Sequence, residues 1–412
     1  MYSMKKSRML LLLTFLAVLT LFSACTRKNN LTGNNWSDVK PRTFTDSLFT
    51  EGFSFADTAK VSGYESTLLC GKMGDREAVA MMRFTGLPAD SLLATVTEAK
   101  LTLKFKRRSP EPRSTLKLNL FRLRGHWTAD STYAVVDDSI VVFDPAIPEY
   151  TVPDVSADST YSITIPNDVI SSWSDDTATG FCIAMRSSEN GWSEIYSIDS
   201  GSSGPKLSFK YRLTTDSATS TLKEYSSSAV SDSYRITAPF GSELNNRWLI
   251  RNINPSRLYV KFAVNPSSFR GMNGAPLDSL SLKRLTINKA ELVLYKKTNP
   301  YYGSSIPYGL KAYNVTRDSL SSAISLQEGD YELMTLNPSS TGFINADSVV
   351  VNVTAMVQGY ISGDIPNYGV MIQSTQEMTN FGELELWHFA DPALPQGKAP
   401  KLRVKYTPPF LP

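Results

Sequence analysis

Along Gly204–Tyr211, Leu207, Phe209 and Tyr211 alternate with Lys206, Ser208 and Lys210. Along Ala399–Tyr406, Leu402, Val404 and Tyr406 alternate in the same way with Lys401, Arg403 and Lys405. A strict period of two predicts a strand with one face on a core and the other in water. The cleanest case is Ala99–Lys106, with Ala99, Leu101, Leu103 and Phe105 on one face and Lys100, Thr102, Lys104 and Lys106 on the other. Leu116, Leu118 and Leu120 run in phase, and the apolar set then shifts to Phe121 and Leu123, as a β-bulge would cause. Phe181–Met185 reads as an almost continuously apolar strand and Asn167–Trp173 as a short helical turn.

The second half repeats these words. Arg257–Phe262 matches the run into Arg83-Phe84, Ala290–Lys297 matches Ala99–Lys106, and Tyr308–Val315 stands for the Leu116 strand. Val349–Tyr360 matches the segment running into Trp173, and Tyr368–Gln373 matches Gly180–Arg186. The copies lie about 190 residues apart, a period that means tandem domains and not a solenoid. Short strands, frequent turn signals and little helical periodicity predict an all-β chain of two tandem antiparallel jelly-roll-like β-sandwich domains. The expected domains are 43–213 and 222–408, joined by a polar linker at 214–221.

Lys5, Lys6 and Arg8 precede an apolar run, Met9–Phe22, which is shorter than a comfortable membrane span and fits a signal peptide at 1–24. The run ends in Leu21-Phe22-Ser23-Ala24-Cys25, which resembles the lipobox of bacterial lipoproteins. That resemblance implies lipidation at Cys25, a tether over 25–42 and a membrane partner. Thr26 is not the Asp associated with inner-membrane retention, so the implied address is the outer membrane, on its periplasmic face or at the cell surface. An ordinary signal peptide or an uncleaved anchor is the alternative. Cleavage removes three basic residues and leaves basic and acidic side chains equal in number. A neutral chain without a basic stripe argues against nucleic acid as a partner. The remaining cysteines are Cys70 and Cys182; an oxidising compartment would permit a bridge between them, and two buried thiols are the alternative.

The order of features resembles the DNRLRE domain: a run into Arg/Lys-Phe, an Ala-x-Leu-x-Leu strand, Val357-Gln358-Gly359-Tyr360, Asn367-Tyr368-Gly369 and a closing Pro-Lys-Leu-x-Val-x-Tyr. The resemblance implies jelly-roll-like sandwiches of secreted and envelope proteins, related to carbohydrate-binding modules. The namesake motif itself is not spelled out at Arg76–Phe84 or Arg257–Phe262. Jelly-roll modules often carry Ca²⁺, yet no contiguous oxygen-ligand loop marks its ligands here.

Catalytic signals are scarce. His126 and His388 each stand beside a Trp, where a sheet-edge or loop histidine explains them better than an acid–base group or metal ligand. No zinc motif, nucleophile elbow or phosphate loop is present, and Asp137-Asp138, Asp175-Asp176 and Glu189 read as solvated turn residues. Loop aromatics are the most suggestive feature. Tyr301 and Tyr302 in Asn299–Gly303, and Trp192 after Asn190-Gly191, are expected to be exposed and able to stack on a sugar. Trp127, Trp173 and Trp387 are expected in the cores. The sequence therefore points to a non-catalytic envelope lipoprotein that binds an extended glycan or wall component, or else to an adaptor for a protein partner.

Overall fold

A computed structural model describes residues 42–46, 49–56, 63–89, 92–109, 116–123, 149–152, 159–173, 181–187, 189–237, 246–297, 309–317, 331–333 and 347–409. The leader with Cys25, His126, Trp127, the two Asp-Asp pairs, and Tyr301 and Tyr302 lie outside the described residues.

Two strands come first, β1 (Arg42–Asp46) and β2 (Phe49–Ala56). Nine follow in the first half: β3 (Thr67–Met73), β4 (Arg76–Phe84), β5 (Leu93–Ser109), β6 (Leu116–Arg122), β7 (Tyr150–Val152), β8 (Ser159–Thr164), β9 (Phe181–Ser187), β10 (Gly191–Tyr196) and β11 (Lys206–Leu213). Helix α1 (Asn167–Trp173) stands between β8 and β9. Then come β12 (Lys223–Ser228) and β13 (Ser231–Thr237). The second half holds β14 (Trp248–Arg251), β15 (Ser256–Phe262), β16 (Thr286–Tyr295), β17 (Leu310–Val315), β18 (Tyr331–Leu333), β19 (Ser348–Asn352), β20 (Val370–Ser374), β21 (Glu383–Leu386) and β22 (Lys401–Thr407). Helix α2 (Ser279–Lys283) precedes β16, and α3 (Thr354–Ser362) follows β19.

All strand pairs are antiparallel, and their order repeats. The first half runs β10-β3-β4-β9-β6-β7 and the second β21-β14-β15-β20-β17-β18. The facing layers are β12-β11-β5, with β8 on the other edge of β5, and β1-β22-β16-β19. The last strand of the first arm, β13, adds to β4 just as β2 adds to β15. Two equivalent sandwiches result, each with one main core between its layers.

The arms are exchanged. Strands β1 and β2 open the chain yet complete the second unit, and β12 and β13 complete the first. The expected domain limits are therefore corrected on two counts. Residues 214–221 are not an inter-domain linker but the turn between paired strands β11 and β12, closed by Arg212 on the Ser220 carbonyl (3.0 Å) and Lys223 on Asp216 (3.0 Å). The chain instead passes from one unit to the other between β2 and β3 and back between β13 and β14. Short-range periodicity marks strands but is silent about which sheet a strand joins, because each arm presents an alternating face that fits either copy.

The units also share a core. Ile253, Met378 and Phe381 of the second half pack into the first unit's cluster, and Tyr234 on β13 donates its hydroxyl to the Met378 carbonyl. Arg76 reaches Glu383 across the junction at 2.8 Å, with only 3% and 7% of these side chains exposed.

Alternation held where one face is wet: on β5 the Ala99, Leu101, Leu103 and Phe105 face is buried. The bulge expected near Leu120 is not there, since β6 pairs with β9 without a register shift. Phe121 and Leu123 instead pack on the opposite sheet face, with Val79, Met81 and Ala184. A strand buried on both faces carries apolar residues in both phases, and this mimics a slip.

Candidate functional site

The two residue words that carry the family resemblance hold the fold. Gln358 on α3 accepts from the Ile287 amide (2.8 Å) and donates to the Leu285 carbonyl (3.2 Å). Tyr360 donates to Asn314 Oδ1 (2.7 Å), and Asn367 donates to the Phe262 carbonyl (2.8 Å).

Trp192 is corrected from an exposed loop residue to a core residue. It lies on β10, 1% exposed, opposite Gly71 and 5.9 Å from the Phe381 ring. A Cβ at Gly71 would fall 2.3 Å from the Trp192 Cα, so only glycine lets β10 approach β3 here. The turn ends at Asn190, and Gly191 is already the first residue of the buried strand β10. Trp387 is half-buried, with the Lys297 ammonium 5.0 Å from its ring, and is not a core plug. His388 is buried, its ring stacked near Trp248.

Of the two readings of Cys70 and Cys182, the structure bears out the buried thiols and not the bridge: neither cysteine is in a disulfide. Cys70 faces the main core from β3, and Cys182 faces the opposite side of the sheet from β9, with β4 between them. Burial pushes the Cys70 thiol up to about 12, and it donates to the Met185 carbonyl at 3.3 Å. Glu189 is exposed and pairs with Lys117 at 2.6 Å, as a turn carboxylate would. Among the described residues no three His, Cys, Asp or Glu side chains gather to hold a metal, so Ca²⁺ has no candidate ligand set there. No helix among them is long and apolar enough to cross a membrane.

A different feature stands out on the first unit. Strand β11 pairs with β5 only as far as Thr102, and β10 resumes the pairing at Phe105. Between them the chain leaves the sheet as a 3₁₀ segment, Ile198–Ser203, so Leu103 and Lys104 have no ladder partner on that edge. Ser197 caps the segment, accepting from the Asp199 amide and donating to the Glu65 carbonyl (2.6 Å). Gly204 brings the chain back so tightly that a Cβ there would lie 3.0 Å from Ile198 Cα. The gap is an open groove of about 330 Å³, lined by Thr102, Lys104, Thr160, Ser202, Ser203, Gly204 and Lys206.

Alternation explains the lining. Thr102 and Lys104 occupy the outward phase of β5, opposite Lys206 and Thr160 on its two neighbours. The Lys104 ammonium donates to Ser203 Oγ at 3.3 Å and sits 5.0 Å from the Tyr196 ring centre. Thr102 and Ser162 share a hydroxyl hydrogen bond of 3.0 Å. Among the described residues, neither Lys104 nor Lys206 forms an ion pair with a carboxylate. Sequence reading placed both lysines only on a solvated strand face, because a groove made by a break in pairing has no local signature.

The groove wall rests on an exchanged arm. Asp232 of β13, 1% exposed, accepts from the Ile198 amide at 2.8 Å, where the 3₁₀ segment begins. Burial foremost, and the neighbouring Asp199 carboxylate, push the Asp232 carboxyl up to about 7 against the opposing effect of that hydrogen bond. Between its ordinary range near 3.8 and about 7, the folded chain holds a proton that the unfolded chain releases. Stability from this group is therefore full below that window, falls as pH rises through it, and levels off above. Asp232→Asn keeps an acceptor for Ile198 and should remove the slope, raising stability at pH 8 relative to wild type by on the order of 2–4 kcal/mol. Urea denaturation of both proteins at acidic and alkaline pH checks this; parallel pH profiles would sink it.

Compared with known proteins, the chain matches no family model and no curated protein, so its groove and its fold are the ground on which its function is read.

Proposed function

We propose that this is a non-catalytic, lipid-anchored protein of the outer membrane that holds an extended glycan or wall component in the first unit's groove. The groove carries this reading. It is open, it lies on a rigid sheet, and it offers four side-chain hydroxyls and two ammonium groups to a hydroxyl-rich ligand. The order of motifs shared with DNRLRE domains, related to carbohydrate-binding modules, supports the same reading. Lipidation at Cys25 would tie the tether to the second unit, because the first strand after it, β1, pairs with β22. The groove-bearing unit is then the one not joined directly to the anchor. Tyr301 and Tyr302, outside the described residues, keep their proposed stacking role beside β16. A glycan array probed with residues 26–412 tests the reading: binding to a defined set of saccharides is expected, and no binding to any sugar would overturn it.

A further inference from the structure

The two units have the same topology, so each is a control for the other. Pairing registers align Thr102 with Val293, Lys104 with Tyr295, Lys206 with Lys401 and Lys100 with Glu291. In the second unit the same outward face carries an aromatic ring, and its Glu291 and Lys398 are ion-paired. The ammonium groups of Lys401 and Lys398 lie 5.2 Å and 5.3 Å from the Tyr295 ring centre, and Lys398 also pairs with Asp347 at 2.9 Å. Glu291 pairs with Lys289 at 2.6 Å and Arg403 at 2.9 Å. In the first unit Val293 is replaced by a hydroxyl, Tyr295 by a lysine and Glu291 by a lysine, and among the described residues neither groove ammonium pairs with a carboxylate.

We infer that the groove of the first unit binds an anionic group, a carboxylate or sulfate ester carried on a polysaccharide, and that the second unit's equivalent face does not. This inference rests on the glycan reading above. Lys104 and Lys206 face the groove from adjacent strands, so one oxyanion between them would receive two charge-assisted hydrogen bonds. Ser203, already a partner of Lys104, adds a hydroxyl donor. The ring of hydroxyls suits sugar OH groups, and the lining has no large apolar side chain that would anchor an acidic peptide. Because the ammonium groups are partly exposed, salt should weaken the attraction.

Affinity electrophoresis of residues 26–412 tests it, in gels containing polygalacturonate, chondroitin sulfate, neutral dextran or polyglutamate. Retardation is expected in the first two gels and should decline with added salt. Lys104→Gln with Lys206→Gln should weaken it about a hundredfold or more, since two charge-assisted bonds are lost together. Lys401→Gln should leave it unchanged. A second variant, Thr102→Val with Lys104→Tyr, writes the second unit's residues into the first; it should fold, because β16 carries them in the same register, and should not bind. Equal retardation of wild type and the lysine variants would overturn the inference, as would an equal loss in Lys401→Gln. Lysine-dependent retardation by polyglutamate as strong as by the saccharides would overturn the choice of polysaccharide. Binding of neutral dextran alone, insensitive to the lysine changes, would overturn the anionic groove while leaving the glycan reading intact.

Discussion

A fragment from Asn246 to Pro409 should fail to melt cooperatively, although it contains every strand of the second half. The reason is the exchanged arm. Strand β1 covers the edge of β22 and places Phe44 4.8 Å from Phe269, with Arg42 on the Met272 carbonyl. Strand β2 pairs along β15, buries Phe55, sets Phe53 5.2 Å from Tyr259, and offers Ser54 Oγ to the Leu249 amide at 2.6 Å. Full burial of a large apolar side chain stabilises by about 1.5–3 kcal/mol, so buried Phe55 with half-buried Phe44 and Phe53 supplies a large share of the about 5–15 kcal/mol of a typical domain. The lost ladders leave two edges and their amides unpaired as well. A peptide covering 42–56, added in trans, should restore a cooperative transition in circular dichroism. A peptide covering 223–237 should do so less well, because it offers Tyr225, Ser233 and Arg235 where the second unit takes Phe44, Phe53 and Phe55. A monomeric fragment that melts cooperatively without either peptide would show that the arm is dispensable. The domain limits expected from the repeat would instead make 222–408 a self-sufficient unit.

Removing one partner of the Arg76–Glu383 pair should be nearly as damaging in the intact chain. These groups meet at 2.8 Å across the junction of the two units, almost wholly out of water. Arg247 lies 4.0 Å from the other Glu383 oxygen, too far to replace Arg76. Arg76→Met leaves a buried carboxylate without its main partner, and such breaks cost about 3–5 kcal/mol. Glu383→Leu should also be destabilising, because it takes the carboxylate away from a buried guanidinium. The double substitution should recover most of the loss, because two apolar side chains of like volume remove both desolvation penalties. Urea denaturation of the four proteins forms a double-mutant cycle, and additive single losses would argue that the pair is not coupled. Loss of cooperativity between the units, seen as two transitions, should accompany the single variants, since the junction also holds Trp192 against Phe381.

What the sequence determined by itself was local and periodic. Alternation at Ala99–Lys106 and Ala399–Tyr406 was enough to place wet-faced strands, and the recurrence of those words was enough to show that strand types repeat. Period two is written into every residue of such a strand, because each side chain must go either to core or to water. Strands buried on both faces broke that logic, so the phase change at Phe121 read as a bulge and the apolar context of Trp192 read as a turn. The tertiary structure alone decided the rest. Which unit an arm completes depends on backbone pairing between residues far apart in the chain, and polar edge strands such as Lys223–Ser228 carry no mark of their partner. The separation of Cys70 from Cys182 depends on which sheet face each occupies. The groove exists because β10 and β11 leave one edge of β5 unpaired over two residues, and Lys104 meets Ser203 only because the chain returns about a hundred residues later to close the sheet.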